Sequence, residues 1–270
     1  MVVQHNMQAV NTNRMLAGNV KAVSKSTEKL SSGYAVNRAA DDAAGLSISE
    51  KMRNQIRGIN QAVKNSEDGV SLIQTAEGNM NEIHSILQRM GELATKAAND
   101  VNATEDRTAI QNEIDQLTTE IDSISNKAAF NGTKLLNGDF KSKNLQVGAV
   151  AGENMNITIS TMNATLLSVK SLDMASHGSA SDAMSKISAA IKTVSAARSE
   201  LGAKQNRLDY TINNLNNYSE NLTSAESQIR DTDMAAEMTS YTKNNILQQA
   251  AQSMLAQANQ STQGVLSLLG

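Results

Sequence analysis

Residues 56–97 read IRGINQAVKNSEDGVSLIQTAEGNMNEIHSILQRMGELATKA. Apolar side chains recur at Ile56, Ile59, Val63, Val70 and Ile73, with Ser66 filling one slot, and then at Met80 and Leu87. Steps of three and four residues are the period of one face of an α-helix. A second set, Leu72, Ala76, Ile83, Ile86, Met90, Leu93 and Ala97, runs beside the first. Two adjacent apolar seams on one helix call for two neighbours rather than one. The stretch therefore predicts a long helix packed inside a bundle.

The same rhythm extends in both directions. Upstream it runs Leu16, Val20, Val23, Thr27, Leu30 and stops at SSGY, Ser31 to Tyr34, where Gly33 permits a bend. Downstream a third helix carries Ile110, Ile114, Leu117, Ile121 and Ile124. The longest register is Ile187, Ile191, Val194, Leu201, Leu208, Ile212, Leu215, Leu222 and Ile229, with polar slots at Arg198, Gln205, Ser219 and Glu226. A final helix repeats it at Leu247, Ala251, Met254, Ala258, Ser261, Val265 and Leu268. Between the third and fourth helices the texture changes. FNGTKLLNGDF (130–140) holds two Asn-Gly turn signals, and NLQVGAV (144–150) and NMNITIS (154–160) alternate with period two. The fold class read from these patterns is mainly α: a long antiparallel helical bundle or coiled coil with a small insert of one or two β-hairpins at about 130–169.

Composition agrees. The 270 residues include no proline, cysteine or tryptophan, and only 2% are aromatic. Without proline nothing fixes φ or removes a backbone donor, so helices can run on. Net charge is −3 with both signs interspersed; no basic tract points to nucleic acid or an anionic membrane surface. No apolar run reaches membrane-spanning length. The start, MVVQHNMQAVNTNR, lacks the basic and apolar regions of a cleaved secretory signal.

Chemistry-bearing motifs are absent. His5, His84 and His177 stand alone, and there is no H-E-x-x-H helix, glycine-rich phosphate loop or G-x-S-x-G. No catalytic residue, cofactor or metal is expected. An adjacent acidic pair, Asp41-Asp42, precedes a long helical pattern. Asp41 falls where an N-cap belongs and Asp42 in the first turn, where both charges suit the positive helix end. Asp231-Thr232-Asp233 marks a join between the last two helices.

The ends are unusual. No charged residue follows Lys243, and Met1 to Asn13 contains no Asp, Glu, Lys or Arg. A solvated amphipathic helix normally carries charge on its outer face. Here the flanks are Gln248, Gln249, Gln252, Gln257, Asn259, Gln260 and Gln263. Neutral amides lose less on burial than charges do. Both ends are thus expected to pair with each other and with copies of themselves, with residues 244–270 largely disordered until that happens.

The segment LSSGYAVNRAADDAAGLSISEKMRNQIRGINQAVKNSEDGVSLIQTAEGNMNEI, Leu30 to Ile83, resembles the N-terminal conserved region of bacterial flagellins. LGAKQNRLDYTINNLNNYSENLTSAESQIRDTDMAAEM (201–238) and NNILQQAAQSMLAQANQSTQGVLSLLG (244–270) resemble the C-terminal one. The resemblance covers about residues 1–140 and 180–270 and is to a short form with a much reduced outer domain. It implies a structural subunit of the flagellar filament, not an enzyme. Residues 1–33 with 233–270 would form an inner terminal coiled coil, and 34–232 an outer rod. Leu16, Val20, Val23, Leu30, Leu247, Ala251, Met254, Ala258, Val265 and Leu268 would build the filament core.

The resemblance also implies partners: the chain itself, an export chaperone at the C-terminal helix, and filament-cap and hook-junction proteins. It implies export through the flagellar type III apparatus to an extracellular filament. A hook–filament junction protein of the same family is the alternative. LQRMGELATKAAND (87–100) and Gln111 to Ile114 resemble the family's segments that contact host Toll-like receptor 5. The carried-over contacts are Arg89, Leu93 and Glu113, with Leu93 expected to be covered by a neighbouring subunit in the filament. Gly91 departs from the family, where a charged residue is frequent, and is expected to remove a contact.

Overall fold

In the computed structural model the backbone is described from Asn6 to Leu269 and the side chains from Asn6 to Ser261. The elements are α1 (Met7–Ser32), α2 (Ala43–Ala97), α3 (Thr104–Lys127), β1 (Ala129–Phe130), β2 (Thr133–Lys134), β3 (Lys143–Gln146), β4 (Asn154–Ile157), α4 (His177–Arg230) and α5 (Met234–Leu269). The chain is mainly helical with a small antiparallel β insert. It forms two compact units: one of the described residues through Ile56 with those from Glu220 onward, the other of Arg57–Ser219.

In the second unit both predicted seams of α2 are buried. Ile73, Met80 and Leu87 from one, and Ala76, Ile83, Met90 and Ala97 from the other, share a core with Ile110, Ile114 and Ile121 of α3 and Ile187, Val194, Leu201 and Leu208 of α4. The helix has the two neighbours its pattern demands. α2 and α4 run antiparallel, as partners descend along one while ascending along the other. Asn60 meets Ser219 at 3.1 Å and Glu77 meets Arg198 at 3.4 Å. Those α4 residues are two of the polar slots in its register, each matched across the seam.

The insert spreads further than the hairpins. Its residues Leu135, Leu136, Phe140, Met155, Ile157, Ile159 and Met162 join the helical core. Phe130 pairs with Thr133 across Asn131-Gly132, whose φ values of 47° and 77° are both positive. That is the two-residue primed turn which Asn-Gly favours. The second Asn-Gly does not join strands. Asn137 Oδ1 instead accepts from the Asp139 amide at 3.0 Å, a local turn with Gly138 at φ 100°. β3 and β4 pair from Lys143↔Ile157 to Gln146↔Asn154. The return segment is tied to α3 by Gln111, which donates to Leu172 O and accepts from Met174 N, each at 2.9 Å.

In the first unit α1 and α5 pair antiparallel. Asn6 Nδ2 donates to Ala258 O at 2.9 Å at one end, and Lys29 meets Glu237 at 3.7 Å at the other. Residues 244–269, expected to be disordered in the lone chain, are helical, and α1 supplies a partner within the same chain as far as Ala258. Gly33 closes α1 in the left-handed region, φ 75°, its N–H bonding Lys29 O at 2.8 Å. Asp233 Oδ1 opens α5 by accepting from the Ala235 and Ala236 amides.

Candidate functional site

The acidic pair is punctuation, with its two roles distributed differently from expectation. Asp42 Oδ1 accepts from the amides of Ala44 (3.0 Å) and Gly45 (2.9 Å), so Asp42 is the N-cap of α2. Asp41 lies one residue outside the cap and cannot reach those donors. It accepts instead from Arg38 N at 3.2 Å and pairs with Lys25 of α1 at 2.8 Å. The Lys25 hydrogen bond, followed by that from the Arg38 backbone, holds the Asp41 carboxyl below its ordinary range. A depressed carboxylate pKa gives a contribution that is present above the ordinary carboxylate range and lost as pH falls through the folded value. Asp42→Ala should lower stability by about 1 kcal/mol and speed amide exchange in the first turn of α2. Asp41→Asn should leave that exchange unchanged.

Arg89 and Glu113 meet at the junction of α2 and α3. Arg89 Nε and Nη2 donate to one Glu113 oxygen at 3.1 and 2.9 Å, and Nη1 donates to Glu92 at 3.1 Å. Both partners are partly open to solvent beside a surface cleft of about 470 Å³. Leu93 is different. It is only 4% exposed and belongs to the core that α2 shares with α3, so its own subunit already covers it. A Cβ on Gly91 would meet Ile187 of α4 at 3.8 Å, an ordinary contact.

The terminal pair carries the largest departure from the periodic reading. Leu16, Val23 and Leu30 are half-buried on α1, as are Ala251 and, more fully, Ala258 on α5. Between these anchors the buried line steps to the other side. On α1 it takes Asn19 and Ser26, leaving Val20 exposed; on α5 it takes Gln248 and Leu255, leaving Leu247 and Met254 exposed. A four-then-three step and a three-then-four step share every alternate residue. Apolar content alone selected the wrong one, because a pair closed by Ala251 and Ala258 has room for amides between them. Val265 and Leu268 lie outside the described side chains.

The consequence is a helix pair with apolar side chains facing away from its own seam. Leu247 and Met254 flank the seam on α5, while Ile246, two residues before Gln248, lies on the far side. Met7, Val10 and Met15 are exposed on α1. Met254, 61% exposed, sits on a cleft of about 290 Å³ shared with Gln8, Asn11, Thr12, Gln257 and Ser261.

Residues 3–141 match the model of the bacterial flagellin N-terminal helical region, and residues 184–269 that of the C-terminal helical region. The chain belongs to the bacterial flagellin family. It is 51% identical to the flagellin of Halalkalibacterium halodurans over the full length of both chains. It is 45% identical to a flagellar filament 30.7 kDa core protein of Treponema maltophilum, again over both full lengths. The crystal structure of Bacillus cereus flagellin is similar at TM-score 0.50 and 30% identity, covering 56% of this chain and 88% of that one.

One cluster of this flagellin has no counterpart in the local sequence pattern. Tyr34, in the loop after α1, lies between two guanidinium groups. Its ring centroid is 4.8 Å from Arg230 and 5.3 Å from Arg53, and its hydroxyl accepts from Arg53 Nη2 at 2.8 Å. Arg53 also meets Glu226, another polar slot of α4, at 2.9 Å. The loop is further held by Ala35 N to Arg230 O (2.7 Å) and Thr232 N to Gly33 O (3.0 Å).

Proposed function

We infer that this chain is a structural subunit of the helical bacterial flagellar filament, outside the cell, and that its main partner is itself. The observation that carries this is the inverted terminal pair. α1 and α5 place Ser26 buried and Asn19 and Gln248 half-buried in their seam beside Leu16, Val23, Leu30 and Leu255, and leave Val20, Leu247 and Met254 outward. A pair stable by itself would keep Val20, Leu247 and Met254 in its seam as well. The absence of charge after Lys243 suits a site enclosed by copies. Residues 1–33 with 233–270 are assigned to the inner coiled coil and 34–232 to the outer rod. Adding purified subunits to sheared filament seeds and following length by electron microscopy tests this. Elongation supports a filament former, whereas a single terminal cap of subunits would indicate a hook–filament junction protein.

Family membership supports the remaining partners. Export runs through the flagellar type III apparatus, with a chaperone on the C-terminal helix and with the cap and hook-junction proteins met at assembly. Free subunits bind Toll-like receptor 5 through Arg89 and Glu113. The support is the exposed ion pair on one patch; Leu93, being internal, contributes through packing rather than contact. Arg89→Ala is expected to weaken binding of the subunit to the receptor ectodomain by about tenfold, the loss of one interface anchor. Unchanged affinity by surface plasmon resonance would place the contact elsewhere.

A further inference from the structure

The sulfur chemistry of this chain is divided between two environments. There is no cysteine, so methionine is its sole sulfur. Met80, Met90, Met155, Met162 and Met174 are buried in the core of the Arg57–Ser219 unit. Met7, Met15, Met234, Met238 and Met254 are exposed, and all five lie on α1 and α5. Beyond these two groups only Met52 and Met184 are described, the first half-buried and the second at the margin of exposure. The thioethers that solvent reaches are thus concentrated on the helices that must become dry.

We propose that these five methionines are oxidation sites of the unassembled subunit, and that their conversion to sulfoxide by a peroxide blocks polymerisation. The proposal rests on the placement of α1 and α5 in the filament core. In the step, a thioether sulfur lone pair attacks one peroxide oxygen. The S–O bond forms as the O–O bond breaks, and the departing hydroxide takes up the proton released from the sulfur-bound oxygen to leave as water. Sulfur loses two electrons and the peroxide gains them. The product is a polar, chiral group on a side chain that had been flexible and apolar. At Met254 the change falls on the rim of the cleft with Gln8, Asn11 and Gln257. In the subunit the new oxygen is solvated and costs nothing. In the assembled core it must find a donor or be buried without one, which is unfavourable. The core methionines are shielded, so the fold of the Arg57–Ser219 unit survives the same exposure. Methionine sulfoxide reductases return the thioether, which makes the block reversible.

Purified subunits treated with hydrogen peroxide, mapped by peptide mass spectrometry and then added to untreated seeds, provide the test. The five terminal-helix methionines should oxidise before Met80, Met90, Met155, Met162 and Met174. Elongation should fall by at least about tenfold, and treatment with both reductase types should restore it. A variant with all five changed to leucine should elongate seeds and keep doing so after peroxide. Even if that variant fails to assemble, the reductase rescue of the unaltered chain decides the matter. Fully oxidised subunits that elongate normally, or core and terminal methionines that oxidise together, would overturn the proposal. Preformed filaments that oxidise at the five sites as fast as subunits would instead overturn the placement of α1 and α5.

Discussion

Removal of residues 244–270 is expected to abolish polymerisation while leaving the Arg57–Ser219 unit folded. The cut takes most of α5, including Gln248, Ala251, Leu255 and Ala258 of the line buried against α1, and the outward Ile246, Leu247 and Met254. α1 then has no partner along Thr12, Leu16 and Asn19. A helix of its 26 residues, uncharged at its start, is marginal alone in water. Ordering each residue costs about 1–2 kcal/mol in backbone entropy, which only packing can offset. Both halves of the outward apolar surface are therefore lost at once. The second unit contains none of the deleted residues, and its core of α2, α3, α4 and insert side chains is untouched. Circular dichroism should show the loss of α5 and fraying of α1, followed by one cooperative melt of the remainder. Sedimentation with wild-type seeds should find all truncated chain in the supernatant. Filaments in the pellet would remove α5 from the assembly interface.

Much of this was legible in the sequence, for a physical reason. The helices of the Arg57–Ser219 unit bury their seams within one chain, so period and burial coincide. Ile73, Met80, Ile83 and Met90 are where the steps of three and four put them. Asn131-Gly132 was readable because a primed turn requires two positive φ values, and Asn-Gly tolerates them. Asp42 could be found as a cap only to within one residue, since Asp41 offers the same chemistry; the Lys25 partner that separates them comes from another helix. The terminal pair failed differently. Periodicity ranks lines by apolar content, whereas α1 and α5 share only alternate members of their apolar lines with each other and turn Val20, Leu247 and Met254 outward. Leu93 was misplaced for a related reason. Its apolar seam on α2 turns it toward α3, into the core, whereas a receptor contact calls for exposure. The Tyr34, Arg53 and Arg230 cluster has no local pattern at all, because it brings together a loop and two helices far apart in sequence.

Met254→Lys is expected to leave the subunit intact and to prevent its assembly. Met254 is 61% exposed, so a lysine there stays solvated, and lysine is a good helix former. The melting temperature and solubility of the subunit should not move. Enclosure changes the balance. The cleft around this position is lined by Gln8, Asn11, Thr12, Gln257, Ala258 and Ser261, none of them a carboxylate. No acidic residue follows Glu237, and none precedes Glu28, so neighbouring copies of these ends offer no counter-ion. Breaking or omitting one partner of a buried charge pair costs about 3–5 kcal/mol. At 1.4 kcal/mol per decade, that raises the subunit concentration needed for growth by roughly a hundredfold or more. Leu247→Asp, seven residues earlier and on the same line of α5, has Lys243 one turn away as a counter-ion and should impair growth less. Met254→Leu separates charge from shape: a volume-conserving swap costs less than about 1.5 kcal/mol, so that variant should still elongate seeds. Normal growth of Met254→Lys at neutral pH, measured by light scattering against the Met254→Leu control, would put this line of α5 on a wet surface and return the terminal pair to an ordinary solvated coiled coil.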